Sequence, residues 1–495
     1  MTRIALVQMN PTVGDLEGNA AKMRSMFAAA MAKKAGVAVF PSGALSGAPV
    51  LGLRHDRDFR ERGKTLLKQL AGEFSRQAFF SEFFGATVNP SVESKLTVRS
   101  SALPYYRGSP EAVWREGARF SADNGVWLAE CNLVGGQDDV VFAGGSYVAG
   151  PDGTIAKASV FSEDILVFDL EFPLEPDARA LDDTLYLSRG ETPMEEFHFS
   201  AKGSRETHPE GVAELHDALV MAIRDYIEKC RLPGAAVSLS GGVDSAVVLA
   251  LTVDAIGADR VRTLTLPGPF TSADALRDAK LLAENFGVPI EEISIVPAYE
   301  AARQSLGTLL ARGLADPEDV AGQNLQARIR GMYIMALANR HNYLDMNCSN
   351  KSEAMTGYGT LYGDLVGGFS PLCDVWKTDV WNLARHNNAA AGRERIPVSI
   401  IERVPSAELR QNQEDRHSLP DYPILDAVLG AFVDRGESYS ELLEAGFDRE
   451  TVEKCLSLHY LSAFKRQQAP MGPCVTGNAA GRWEAPPIVN RFRPW

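Results

Sequence analysis

Between an apolar run at 235–239 and a helical run at 246–256, the chain reads Ser240-Gly241-Gly242-Val243-Asp244-Ser245. No other stretch constrains the fold as strongly. A strand that ends in a glycine turn and restarts as a helix leaves the first N–H groups of that helix without partners. These groups point, with the positive end of the helix dipole, at whatever lies beyond the turn. The glycines let the backbone approach an anion closely. The loop therefore predicts a phosphate cradle in an α/β sheet. It lacks the Gly-Lys-Ser/Thr of loops that grip a β/γ-phosphate with lysine. A plain flexible turn between two core elements is the competing reading. Asp244 and the hydroxyls of Ser240 and Ser245 weigh against it.

Short strand-like runs alternate with helical ones along most of the chain, which predicts α/β layers. Runs at 3–9 and 37–40 read as strands flanking a helix near 17–33, and 126–131, 140–149 and 165–170 read as further strands. From about 186 to 210 the composition turns polar without apolar periodicity, as in a linker. The expected organisation is a first domain at 1–184, a linker at 185–210 and a second domain at 211–495. In the second, Leu215, Leu219, Ile223 and Ile227 share one helical face. Strands are expected at 261–266, 290–295 and 343–346, with helices at 272–286 and 323–339. Such a doubly wound parallel sheet binds ligands at the carboxyl ends of its strands. The glycine loop and Cys348 to Glu353 both follow strands, so both are expected to face that crevice.

With 495 residues the chain is long enough for two or three domains, each burying a core. A net charge of −14 argues against a nucleic-acid backbone as partner. Cys131, Cys230, Cys348, Cys373, Cys455 and Cys474 are far apart and form no CxxC pair, so they read as reduced thiols rather than a disulfide frame or zinc site. No apolar stretch reaches membrane-spanning length, and the N-terminus lacks a signal-peptide core. The expectation is a soluble, cytoplasmic enzyme with no membrane partner.

The loop resembles the SGGxDS loop of the ATP pyrophosphatase superfamily, which grips the pyrophosphate released when a substrate is adenylated. The rest of the second half resembles the NAD⁺ synthetases, which amidate deamido-NAD⁺. Asn324-Leu325-Gln326-Ala327-Arg328-Ile329-Arg330 is similar to that family's substrate helix, and Asn350-Lys351-Ser352-Glu353 to its NKSE turn. Gly357-Tyr358-Gly359-Thr360-Leu361-Tyr362-Gly363-Asp364, with Gly367-Gly368-Phe369, is similar to its GYATLYGD…GGF loop. Pro405-Ser406-Ala407-Glu408-Leu409-Arg410, Ser418-Leu419-Pro420, Lys465-Arg466-Gln467-Gln468-Ala469-Pro470 and Asn490-Arg491-Phe492-Arg493 continue the series in order.

The resemblance implies a PP-loop domain of the adenine-nucleotide α-hydrolase-like kind, with ATP, deamido-NAD⁺ and ammonia as substrates and Mg²⁺ as the metal. By position, Leu239, Ser240, Gly241, Gly242, Val243, Asp244, Ser245 and Cys348 would bind ATP. Asp244, Lys377 and Ser406 would act in catalysis, and Asp244 and Glu353 would hold Mg²⁺. Asn324, Arg328, Glu353, Tyr358, Thr360, Asp364 and Lys465 would bind deamido-NAD⁺. A homo-oligomer built on a synthetase dimer is implied as well. The residue types suit the chemistry: a carboxylate needs a leaving group before ammonia can attack it, so an acyl-adenylate forms first and ammonia then displaces AMP. Taken singly, Arg328 and Arg330 read as solvated helix charges, Asp364 as a turn former and Lys465-Arg466 as basic residues at a helix end. Their joint placement beside the loop favours binding. Cys348 stands where the family's threonine is expected, and a thiol is a weaker donor. Leu266 to Ser272 and Arg416 also depart from the family pattern.

The first half resembles the nitrilase-like glutaminase domain of glutamine-dependent NAD⁺ synthetases, in Ile4 to Asn19 and in Val134-Gly135-Gly136-Gln137-Asp138-Asp139-Val140-Val141-Phe142 with Gly144-Gly145-Ser146. A glutaminase of that kind needs a glutamate base, a lysine and a cysteine nucleophile. The glutamate position reads Ser42, the lysine position reads Ser100, and the cysteine-bearing stretch is missing between Phe120 and Asn132. Cys131 reads as a buried strand thiol. Hydroxyls in place of carboxylate and ammonium cannot turn a thiol into a thiolate. The expectation is a degenerate domain that hydrolyses no glutamine, with ammonia free or supplied by a separate glutaminase. An adenylating ligase for another acid, and a non-catalytic nucleotide-binding relative, are the competing readings.

Overall fold

The computed structural model describes residues 2–74, 78–79, 95–171, 209–310, 319–477 and 488–495, and the structural statements below concern those residues. Tertiary contacts divide the chain into two units, Met1–Glu214 and Leu215–Trp495. Residues 185–208 of the expected linker lie outside the described residues. Among the described residues no helix is long and apolar enough to cross a membrane.

The first unit runs β1 (Thr2–Gln8), α1 (Leu16–Ala32), β2 (Val37–Val39), α2 (Arg57–Glu73), β3 (Ala78–Phe79), β4 (Leu96–Ser101), α3 (Ser109–Asn124) and β5 (Trp127–Asn132). It continues through β6 (Val134–Gln137), β7 (Val140–Ala143), β8 (Tyr147–Ala149), β9 (Ile155–Lys157) and β10 (Asp164–Leu170). One sheet has the order β10-β1-β2-β3, another β4-β5-β8-β9, and β6 pairs with β7. Strand alternation explains the layers. Ile4, Leu6, Val39 and Phe168 from the first sheet pack on Val98, Ala129, Cys131 and Val148 from the second. The other face of the first sheet, with Ala5 and Val7, is covered by Leu16 and Met23 of α1 and Leu67 and Leu70 of α2. Trp114 of α3 covers Leu128, Tyr147 and Ala149 on the far face of the second. The result is the four-layer α-β-β-α arrangement of a nitrilase-like domain.

The run at 140–149 reads as one strand but folds as two. Gly144 and Gly145 take φ of +73° and +65°, and a Cβ at Gly144 would meet the Gln8 side chain at 2.3 Å. Helix α3 escapes the apolar-periodicity reading because its buried positions are Ser109, Trp114, Gly117 and Ser121, three of them small.

Leading into the second unit is α4 (Val212–Lys229), followed by β11 (Ala235–Ser238), α5 (Val243–Ile256), β12 (Val261–Thr265), α6 (Ala273–Phe286), β13 (Ile290–Glu292) and α7 (Val296–Leu306). Then come α8 (Val320–His341), β14 (Leu344–Met346), α9 (Lys351–Thr356), α10 (Lys377–Ala391), α11 (Val398–Ile401), α12 (Tyr422–Leu429), α13 (Tyr439–Glu444) and α14 (Arg449–Leu461). The sheet is parallel throughout in the order β13-β12-β11-β14. Strands β11, β12 and β13 step one way, and β14 returns to the other side of β11. That reversal opens a crevice at the carboxyl ends of β11 and β14. Helix α5 is buried on nearly all sides, from Ala246 through Thr252, as its unbroken apolar run requires. Strand β13 stops at Glu292, short of the expected 295, because Ser294 Oγ accepts the Val296 N–H at 3.2 Å in a turn that leads into α7, whose cap is Ile295.

Candidate active site

The glycine loop joins β11 to α5 in a conformation that only glycine allows. Gly241 has φ +81°, and a Cβ there would lie 2.3 Å from the Ala275 carbonyl oxygen of α6. Inside the turn the Gly242 N–H donates to Ser240 Oγ at 3.2 Å, and Ser245 Oγ donates to the Gly242 carbonyl at 3.1 Å. The two hydroxyl oxygens lie 3.3 Å apart. Leu239 and Val243 are buried, so their side chains anchor the loop in the core while the turn between them faces the crevice.

Asp244, in the first turn of α5, is held from two sides. Asn350 Nδ2 donates to its Oδ1 at 2.8 Å, and the Lys377 ammonium pairs with its Oδ2. Asn350 caps α9 in a capping box: its Oδ1 accepts the Glu353 N–H at 3.0 Å, and Glu353 reaches back to the Asn350 N–H. The same geometry leaves Glu353 Oε1 3.8 Å from Lys377 Nζ. Burial and then the charge of Asp244 push the Glu353 carboxyl well above the usual carboxylate range. Burial works against the Lys377 ammonium, but Asp244 and Glu353 outweigh it and hold it above the ordinary lysine value. Asp415 Oδ2 accepts the Tyr422 hydroxyl at 2.8 Å on the edge of this group. Cys348 Sγ is directed at the main-chain carbonyls of Met346 and Ser238, at 3.7 and 4.0 Å, and burial pushes its thiol up.

A second group forms where α8 meets the loop at 357–364. Thr360 Oγ1 donates to Asn324 Oδ1 at 2.8 Å, the Thr360 N–H donates to Asp364 Oδ1 at 2.8 Å, and Arg328 Nε donates to the Leu361 carbonyl at 3.2 Å. Lys465 Nζ donates to the Gly357 and Gly359 carbonyls at 2.7 and 2.6 Å. Asn347 Nδ2, at the end of β14, holds the Asp364 and Val366 carbonyls at 2.8 Å each and so fastens this loop to the sheet. Tyr358 lies across from Gln413, whose Nε2 is 3.5 Å from its hydroxyl. Ser406 stands apart, exposed, with its Oγ accepting the Glu408 N–H at 3.1 Å in its own loop. That loop is tied to α6 by Ser272 Oγ, which donates to Glu408 at 2.9 Å. Asn350 and Asn347 were visible in the sequence as asparagines after a strand, and the Asn-x-x-Glu spacing signals the cap. Their reach to Asp244 and to the 364–366 carbonyls has no local signal.

Comparison with known proteins identifies the family. The NAD synthase family model matches residues 215–469, slightly more than half of the chain. The chain belongs to the NAD synthase family. A glutamine-dependent NAD(+) synthetase of Acinetobacter baylyi is 38% identical over 410 residues, covering 81% of this chain and 70% of that protein. One from Thermotoga maritima is 33% identical over 461 residues, covering 90% and 80%. Among solved structures, the glutamine-dependent NAD+ synthetase of Acinetobacter baumannii in complex with ADP aligns over 100% of this chain and 99% of its own, at 29% identity and a TM-score of 0.68. A carbon-nitrogen hydrolase model matches residues 3–79, so the NAD synthase domain follows a nitrilase-like one, as in the two-domain members.

In the nitrilase-like half, the end of β2 in one sheet and β4 in the other bring the segments that carry Ser42 and Ser100 side by side. Ser100 Oγ donates to the Phe40 carbonyl at 2.6 Å, and the Ser42 N–H donates to the Ser101 carbonyl at 3.3 Å. Ser100 is in register with Cys131 across the β4–β5 ladder. Helix α3 ends at Gly125 and β5 starts at Trp127, with no further segment between them. Cys131 is fully buried between the two sheets, and burial pushes its thiol far above the usual value.

Proposed function

We propose that this chain makes NAD⁺ from deamido-NAD⁺ by ATP-dependent amidation, and that the nitrogen arrives as ammonia rather than from glutamine opened in its own first half. The convergence of Asp244, Asn350, Glu353 and Lys377 at the mouth of the glycine loop carries the reading. The pyridine carboxylate attacks the α-phosphorus of ATP, the bond to the departing pyrophosphate breaks, and an acyl-adenylate results. N–H groups and hydroxyls of Ser240 to Ser245 take up the pyrophosphate, with Lys377 neutralising its charge, and Ser406 would add a hydroxyl contact only once its own loop, which stands apart in the structure, swings toward the phosphates. Leu239 to Ser245 and Cys348 line the ATP side. Asn324, Arg328, Glu353, Tyr358, Thr360, Asp364 and Lys465 hold the dinucleotide acid. Ammonia then attacks the acyl carbon and AMP leaves.

Asp244 and Glu353 would hold Mg²⁺, which supplies positive charge against the phosphates. Among the described residues no three His, Cys, Asp or Glu side chains form a ready-made metal cage. Two hard carboxylates suit an ion that takes few protein ligands and completes its shell with phosphate oxygens.

The ammonia reading rests on Cys131, Ser42 and Ser100. A thiol sealed between two sheets, with serines at the positions expected to activate a nucleophile, gives glutamine nothing to react with. The test is the full-length protein with deamido-NAD⁺, ATP and Mg²⁺, given either ammonium chloride or glutamine. NAD⁺ and AMP in equal amounts with ammonium, and neither with glutamine, is the expected result. NAD⁺ formed from glutamine would remove the ammonia reading, and NAD⁺ from neither source would remove the substrate assignment. An oligomer built on a synthetase dimer belongs to the same reading, and light scattering on the purified chain tests it.

A further inference from the structure

We propose that Lys377 and a divalent cation compete for Asp244 and Glu353, and that Asp415 is the carboxylate that receives the ammonium when a cation takes those two residues. The proposal rests on the assignment of those two residues to the metal. Lys377 is 2% exposed, so bulk water cannot solvate its ammonium, and each position it takes must supply acceptors. In the structure these are Asp244, with which it pairs, and Glu353 at 3.8 Å. They are the same two carboxylates that the metal needs. An ammonium and a divalent ion cannot share Asp244 Oδ2, since like charges a few ångströms apart in a dry site repel strongly.

The lysine has one evident place to go. Asp415 is the third carboxylate whose charge acts on it. Asp415 is 5% exposed, its Oδ2 accepts the Tyr422 hydroxyl at 2.8 Å, and its buried Oδ1 has no partner at close hydrogen-bond distance, with the Tyr358 hydroxyl the neighbour that also favours its charged form. The Lys377 ammonium already lies over the Tyr422 ring, 5.3 Å from its centre, and 6.0 Å from the centre of Trp381. The aromatic ring that orients Asp415 is therefore also the wall along which the lysine would move. Asp244 keeps its orientation during the exchange because Asn350 holds its other oxygen at 2.8 Å. A lysine released from Asp244 is free to turn toward phosphate. The lysine and the metal would thus exchange at the same two carboxylates. Asp415 is a positioning residue in this scheme, not a metal ligand.

Mn²⁺ binding to the full-length, nucleotide-free protein, followed by paramagnetic resonance or calorimetry, tests the exchange. Lys377→Met should tighten Mn²⁺ binding about tenfold, since the competing ammonium is gone. Asp415→Asn should weaken it several-fold in the wild-type background and leave it unchanged in the Lys377→Met background. An equal loss in both backgrounds would make Asp415 a direct ligand and overturn the proposal. No change in either background would overturn it as well. Lys377→Gln serves as a second variant with the same expectations, and circular dichroism verifies folding. Asp244→Asn and Glu353→Gln separate the premise from the exchange. If both leave Mn²⁺ binding intact, the metal assignment itself fails. If both abolish binding while Asp415 and Lys377 show no coupling, only the exchange fails.

Discussion

Asn350 Nδ2 donates to Asp244 Oδ1 at 2.8 Å across 106 residues of chain. Through that bond the cap of one short helix orients the acid of another, so the phosphate loop and the NKSE turn act as one unit. Asp244→Ala is expected to abolish AMP release. Asn350→Ala should lower AMP release about tenfold or more through the lost charge-assisted bond, and should cost about 1 kcal/mol of stability through the lost cap. AMP assays beside urea unfolding check both effects.

Gly241 offers a sharper test of the cradle. Alanine there must hold φ +81° and push against the Ala275 carbonyl at 2.3 Å. The left-handed conformation alone costs roughly 1–2 kcal/mol, so Gly241→Ala should raise the KM for ATP while α6 and the loop move apart. Substitution of Gly153, at φ +84° with open space around it, carries the same backbone cost without the clash and should leave the KM unchanged.

Cys131→Ala should leave ammonia-driven NAD⁺ synthesis unchanged. The sealed thiol should resist iodoacetamide in the folded protein, as mass spectrometry would show. Loss of its packing between the sheets should cost about 1–2 kcal/mol.

Asp345 is buried on β14 with Oδ2 lacking any partner, and burial raises its carboxyl to about 7. The folded form therefore holds a proton that the unfolded chain loses at ordinary carboxylate pH. Its effect on stability is absent below the unfolded value, grows as a penalty as pH rises toward 7, and is complete above it. Asp345→Asn should gain on the order of 2 kcal/mol at pH 8 and nothing at pH 4, measured by urea unfolding at the two pH values.

Lys351 is wholly buried, with its Nζ 2.7 Å from Asp374, 2.5 Å from Asp434 and 2.9 Å from Thr476. Lys351→Met leaves two acids without their cation and should cost about 3–5 kcal/mol. Replacing Asp374 and Asp434 by asparagine in the same chain should recover part of the loss.

Much of the second domain could be read from residues because its signals are local. The glycine loop, the Asn-x-x-Glu turn and the helix carrying Asn324 and Arg328 are each contiguous, and the backbone physics that shapes them acts within a few residues. Strand ends were less legible. Strand β13 ends before a serine turn that leads into the next helix, and the run at 140–149 breaks at two positive-φ glycines, Gly144 backed by Gln8 and Gly145 by Trp114 and Val160. Helix α3 was hidden because it packs small residues on the sheet and so carries no apolar stripe.

By itself the sequence determined that a strand must turn through glycine into a helix at Ser240, and that hydroxyls stand at Ser42 and Ser100 where an acid and an amine were expected. Only the tertiary structure decided which charges meet. Lys377 reaches Asp244 across 133 residues, and the charge of Asp415 acts on the same cation. The reason is physical: local backbone preferences are set by neighbours in the chain, whereas the pairing of buried charges is set by which side chains the packed sheet and helices leave together without water.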